Sequence, residues 1–120
     1  MKSNEELSKL AHEFAIAVEQ QTEAIRKGDA PLGNKHAKRY IKASKELRTE
    51  GDVGREAMVP LLRHARADVR VMAAAYLLRY CTAEALKVLE DAAKGEGLAA
   101  LGASLTIKRW EDGTWHLDPP

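Results

Sequence analysis

Cysteine occurs once in these 120 residues, as Cys81, and phenylalanine once, as Phe14. A lone cysteine excludes an intramolecular disulfide and any multi-cysteine metal site, in keeping with a reducing compartment, and its simplest role is a small core side chain. Long apolar runs are missing too. The longest, Val71 to Leu78, falls far short of the ~18 residues that a membrane-spanning helix needs. The most apolar N-terminal segment, Phe14 to Val18, is short and flanked by Glu13 and Glu19, unlike a signal peptide, so the expected location is the cytoplasm, with no membrane partner. Charge of one sign is also lacking, since 19 Lys and Arg face 18 Asp and Glu for a net +1. That balance generates no global field for polyanions or an anionic membrane, and a nucleic-acid role would require a local patch.

What is present is alanine, leucine and charge at helical spacing. Sparse aromatics with abundant alanine suit closely packed helices better than a β-sandwich. A chain of this length is expected to form one domain, 1–120, burying roughly two-thirds of its unfolded surface. Ser3-Asn4-Glu5-Glu6 reads as a capping box opening a first helix that Gly28 stops. Along it Leu7, Leu10, Ala11, Phe14, Val18 and Ile25 recur on one face. Asp29 and Pro31 then cap and start a second helix, ended by Gly51. Its Ala37, Tyr40, Ile41, Ser44 and Leu47 share a side, and Lys35, Lys38, Arg39 and Lys42 project from the other. The ordinary explanation of that basic side is a solvated outer face; the alternative is an anion-binding stripe. Glu50-Gly51-Asp52-Val53-Gly54 is expected to be a hinge within the domain.

Beyond the hinge the sequence repeats. Glu56-Ala57-Met58-Val59-Pro60-Leu61 aligns with Glu84-Ala85-Leu86-Lys87-Val88-Leu89 at a shift of 28 residues, which also superposes Ala75 on Ala103 and Leu77 on Leu105. A repeat of that length holds two short helices. The run Ala57 to Leu62 with Pro60 inside it, then Ala67-Asp68-Val69-Arg70 and Ala73-Ala74-Ala75-Tyr76-Leu77, resembles a HEAT or phycobilisome-lyase-type repeat. In that family the first helix carries an internal proline and an Asp-x-Arg turn opens the second. Physically, Pro60 should bend its helix and Asp68 is a good N-cap. In the second repeat Glu96 and Leu98 replace Asp68 and Arg70, so no polar ladder along the turns is expected. With its Glu-rich first helix and its Arg109-Trp110-Glu111-Asp112-Gly113 ending, nearly the whole chain is similar to a family of small bacterial HEAT-like proteins catalogued as domain of unknown function number two thousand and nineteen. The resemblance implies an all-α fold, a right-handed stack of antiparallel helix pairs (a HEAT/ARM-like superhelix), and implies no activity.

The expectation is about six helices, paired about 4–27 with 31–49, 54–65 with 68–80, and 83–94 with 97–111, then a short C-terminal tail. The helix from Asp68 is apolar almost all round and should be the buried centre. The last helix puts Leu98, Leu101 and Leu105 on one line and Ala100, Ala103, Ile107 and Trp110 on a second, with Gly102 allowing close backbone approach. Asp112-Gly113 suits a left-handed cap from which Trp115 folds back, and Pro119 and Pro120 forbid further helix.

Signals for chemistry are weak. His12, His36, His64 and His116 lie on different elements without metal-ligand spacing, and His12-Glu13 lacks the second histidine of a zincin motif. Gly28, Gly33, Gly51 and Gly54 lack the strand-to-helix context of a phosphate loop and read as structural. Nothing local pairs Cys81, Ser3, Ser8, Ser44 or Ser104 with a histidine, and Glu90-Asp91 and Glu111-Asp112 point to different helix faces. No catalysis, metal or cofactor is therefore expected. The leading functional expectation is a protein-protein interaction module, a regulator or immunity-type protein that masks another protein. The alternative is a nucleic-acid-binding HEAT-like protein using a basic face of Lys35, Lys38, Lys42, Arg63, Arg66 and Arg70.

Overall fold

The computed structural model describes residues 1–119; the chain is helical, with no strand among these residues. Pro120, expected to lie in the non-helical tail, falls outside them. Six α-helices occur among the described residues, α1 (Asn4–Arg26), α2 (Ala30–Thr49), α3 (Asp52–Met58), α4 (Ala67–Leu77), α5 (Thr82–Ala93) and α6 (Leu98–Asp112), with one 3-10 turn, Val59–Arg63, after α3. The helices form two compact units, which divide between Leu61 and Leu62.

In the first unit α1 and α2 form an antiparallel hairpin. The capping box at Ser3 is present: the Glu6 backbone N–H donates to Ser3 Oγ at 3.2 Å, and the Ser3 backbone N–H donates to Glu6 Oε1 at 3.1 Å. Those bonds satisfy two donors that a helix start otherwise leaves orphaned. Gly28 ends α1 at φ +76, a region that costs glycine little, and the Asp29 N–H returns to the Ala24 carbonyl. Asp29 then accepts from the Leu32 N–H and starts α2. Phe14 and Tyr40 meet edge to face at 5.7 Å, and Leu7, Ala11, Val18, Ala43 and Leu47 are buried with them. Ile25 and Ile41, placed by periodicity on the inner faces, are largely exposed. The two chain ends of the hairpin are tied where the Lys2 N–H donates to Glu50 Oε1 at 2.6 Å.

The expected pair 54–65 and 68–80 is divided between the two units, and each unit has its own packing. The α3 helix packs against α2 and α1, and α4 packs against α5 and α6. Two local causes act on α3. Gly54 is not a loop residue but a contact point inside the helix, because a β-carbon there would lie 1.8 Å from the Leu47 carbonyl oxygen. Bare backbone at this position lets α3 sit directly on α2. The helix then stops at Met58, since Pro60 offers no N–H for an α-helical bond and crowds the carbonyl four residues back. The segment continues as the 3-10 turn, within which the two units divide.

In the second unit α4 is the most buried helix, with Val69, Val71, Ala73, Ala74, Ala75, Tyr76 and Leu77 all inaccessible. Asp68 does not cap it. Arg66 occupies the N-cap, and Asp68, the second residue of the helix, accepts the Arg66 guanidinium and the Val69 N–H. The Asp-x-Arg turn is instead held by Arg70, whose guanidinium donates to the carbonyls of His64 and Ala65 at 2.8 and 3.0 Å. Gly102 on α6 faces Val71, but an added β-carbon would make only ordinary contact at 3.9 Å, so close approach is not what the position requires.

The C-terminal tail straps back across α4. Gly113 caps α6 in the left-handed region at φ +76, and the Thr114 and Trp115 N–H groups return to the Arg109 carbonyl. Trp115 then packs edge to face on Trp110 at 5.2 Å and donates its indole N–H to the Ala75 carbonyl at 2.8 Å. Further along, Arg79 donates to the Asp118 and Pro119 carbonyls and pairs with the buried Asp118 carboxylate at 3.3 Å.

Candidate interaction surface

Lys35, Lys38 and Lys42 all lie exposed on α2 and form no ion pair among the described residues. Arg39, expected beside them on the solvated side, does something different. Its Nε donates to Glu13 on α1 at 2.8 Å, and the same guanidinium contacts Gln20 and His36, so it clamps the hairpin. Helical spacing placed it correctly near the lysines, but its longer planar fork reaches back over the helix edge.

Arg63, Arg66 and Arg70 belong to the 3-10 turn and the start of α4, and each has a partner. Arg63 pairs with Glu84 at 3.4 Å, Arg66 grips Asp68 with two donors at 3.0 and 2.9 Å, and Arg70 holds the turn carbonyls. The three lysines fall in one unit; Arg66 and Arg70, with Arg63, fall in the other. Three of the six basic candidates are thus free to meet phosphate on one helix, while three are engaged in ordering their own turn.

Three of the four histidines serve local structure: His64 Nδ1 accepts the Arg66 N–H, His36 meets Arg39, and His116 meets the Thr114 carbonyl, while His12 is exposed on α1. Among the described residues no group of three or more His, Cys, Asp or Glu side chains could hold a metal ion, and no helix is long and apolar enough to cross a membrane. A cleft of about 500 Å³ lies where α6 meets the tail, lined by Thr106, Arg109, Thr114, Trp115, His116 and Leu117. Its indole N–H is already spent on Ala75, and Thr106 and Thr114 donate to the Gly102 and Arg109 carbonyls, which leaves the Arg109 and His116 side chains as its polar rim.

The largest exposed apolar feature of a single element lies on α6. Leu98, Leu101 and Leu105 are 44%, 59% and 44% exposed, at three- and four-residue spacing that aligns them on one face. The second line of the helix turns inward, with Ala100 and Ala103 buried and Ile107 and Trp110 half-buried. Small alanines allow α6 to approach its neighbours closely, and the bulky leucines are left facing out. The internal repeat sharpens the contrast: Ala73 and Leu77 on α4 are fully buried, whereas their equivalents Leu101 and Leu105 are bare. Periodicity alone missed the outward direction, because α6 is apolar on two sides. The signal available was the repeat, in which leucine stands at Leu101 where alanine stands at Ala73. No protein-family model, curated protein or solved structure matches the chain.

Proposed function

We propose that this chain is a non-catalytic protein-protein interaction module, a cytoplasmic regulator or immunity-type protein of HEAT/ARM-like kind, akin to the small bacterial family it resembles. The observation that carries this reading is the row Leu98, Leu101 and Leu105, exposed along one face of α6. Burying three leucines that water now touches contributes roughly 1 kcal/mol or more for each side chain that a partner covers. A contiguous apolar row on a rigid helix is the pattern by which a helix face docks to another protein. The test is affinity capture from the native cell extract with the wild type and with Leu101→Glu. A stoichiometric protein retained by the first and lost by the second supports the reading, and equal capture by both defeats it.

The competing reading is nucleic-acid binding through the basic face, favoured by the three unpaired lysines on α2. It makes a quantitative demand. If Lys35, Lys38 and Lys42 engage phosphates, duplex affinity falls steeply with salt, and removing one lysine lowers the log-log slope by about 1. Tight, salt-dependent binding of DNA or RNA that survives Leu101→Glu would replace the first reading with the second.

A further inference from the structure

We infer that the cleft between α6 and the tail binds the carboxylate of an acylated amino acid, whose apolar side chain lies against Trp115 and Leu117. The inference goes beyond the interaction-module reading, since none of its residues belongs to the leucine row. Its first ground is Arg109. Every other arginine of the chain is engaged within the fold, by a carboxylate, by backbone carbonyls or by another group. The Arg109 guanidinium has no partner among the described residues, and the flanking Glu111 and Asp112 form no ion pair with it. It lines the cleft instead. A cation in the last turn does favour a helix C-terminus, but a lysine meets that need equally. The planar fork of arginine is what matches a carboxylate, with two parallel hydrogen bonds.

The second ground is that the site is already formed. A volume of about 500 Å³ lies within the range of small-molecule pockets. Its aromatic wall is pinned twice, because Trp115 lies edge to face on Trp110 and donates its indole N–H to the Ala75 carbonyl. The tail beyond is anchored by Arg79 on Asp118, and Leu117 extends the apolar wall. His116 supplies the remaining polar group. Its Nδ1 lies 2.9 Å from the Thr114 carbonyl, which can only accept, so Nδ1 carries the proton and the neutral ring keeps Nε2 as an acceptor. One unpaired guanidinium, one acceptor and an apolar wall suit a carboxylate that also carries an N–H donor and an apolar body. An N-acyl amino acid has those three parts, and the C-terminal residue of a peptide presents the same atoms.

The two tryptophans of the chain are the pair beside the cleft, so intrinsic fluorescence of the intact protein reports its occupancy. Titration with N-acetyl-phenylalanine, excited where only tryptophan absorbs, should give a saturable change with a Kd of about a millimolar or tighter. The Trp115 indole N–H resonance should move with it. N-acetyl-phenylalanine amide, which lacks the charge, should bind about tenfold more weakly or worse. The acid should lose as much on Arg109→Lys, which keeps the positive charge at the helix end and removes the fork. Phenylpropanoate, without the amide N–H, should bind the wild type about threefold more weakly than the acylated acid, and His116→Ala should abolish that difference. A short peptide ending in a phenylalanine carboxylate separates the two sources: tighter binding than the acylated amino acid assigns the cleft to a protein C-terminus, and equal or weaker binding to a free small acid. Melts of Arg109→Lys and His116→Ala should match the wild type, both positions being exposed, so that a lost signal is lost binding. Neither a saturable change nor a moving resonance up to about ten millimolar overturns the inference. Equal binding of the amide overturns it too, as does an Arg109→Lys variant that binds like the wild type. Capture of a partner through Leu101 is decided separately and survives any of those results.

Discussion

The backbone of Gly54 lies against the carbonyl of Leu47 so closely that even one methyl group has no room, since its carbon would sit 1.8 Å from the oxygen and 2.6 Å from the carbonyl carbon. Both neighbours are backbone and cannot swing aside. Gly54→Ala should push α3 off α2 and cost about 2–4 kcal/mol despite the better helix propensity of alanine. Urea denaturation measures this, and an unchanged midpoint would show that the two helices can part freely.

Gly102→Ala supplies the opposite sign. Its β-carbon would meet only Val71 Cγ1, at 3.9 Å. With helical backbone and free space, alanine should stabilise the protein by about 0.5–1 kcal/mol. The same urea experiment should show the midpoint rising, and a fall would mean that the α4–α6 contact is tighter than its geometry.

Leu77→Asp should be far more damaging than Lys38→Asp. Leu77 is 1% exposed, and a carboxylate there would be buried without a designed partner, a loss of several kcal/mol, about 3–5. Lys38 is exposed on α2 and should tolerate the change within about 0.5 kcal/mol. Thermal melts of the two variants should differ by well over ten degrees for a chain of this size, roughly 4–8 °C per kcal/mol.

Trp115→Phe should retain most of the ring contact with Trp110 but leave the Ala75 carbonyl without the indole donor. The expected loss is about 1–2 kcal/mol, with faster amide exchange through the α4 terminus and the tail. Unaltered exchange at both places would detach the tail from the stability of α4.

The Glu6 carboxyl is held below its ordinary value of 4.5, first by the Ser3 backbone N–H and then by the Ser3 hydroxyl, with Lys2 and the N-terminal ammonium adding to the effect. A lowered folded-state pKa means that the carboxylate stabilises the helix start above its unfolded pKa, and that this contribution disappears as acid carries the pH down through the folded value. An NMR titration should place the Glu6 midpoint below 4.5, moving upward in Ser3→Ala. A midpoint indifferent to residue 3 would separate the capping box from the titration.

Local chemistry in this sequence was readable wherever cause and effect lie within a turn of each other. The Ser3 box, the Gly28 stop, the effect of Pro60 and the Gly113 cap with Trp115 folding back all follow from residues a few positions apart. Burial of α4 was likewise legible, since a helix apolar on every side has nowhere else to go. What escaped depends on partners distant in sequence. Arg39 looks like its lysine neighbours until Glu13 is brought beside it, and Asp68 looks like a cap until Arg66 takes that place. Gly54 reads as a flexible joint, because nothing nearby announces that Leu47 will press on it. The leucines of α6 form an obvious line, but periodicity states which side chains share a face and not whether another helix arrives to cover it.

The strap that carries Trp115 to Ala75 and Asp118 to Arg79 links positions about 40 residues apart. During synthesis at roughly 5–20 residues per second, the α1–α2 hairpin can close as soon as its own residues have emerged. The most apolar helix of the chain has no such freedom. Its last turn waits some seconds for an anchor that is made much later, and over that interval Val71 to Leu78 is the stretch of the nascent polypeptide most in need of a chaperone.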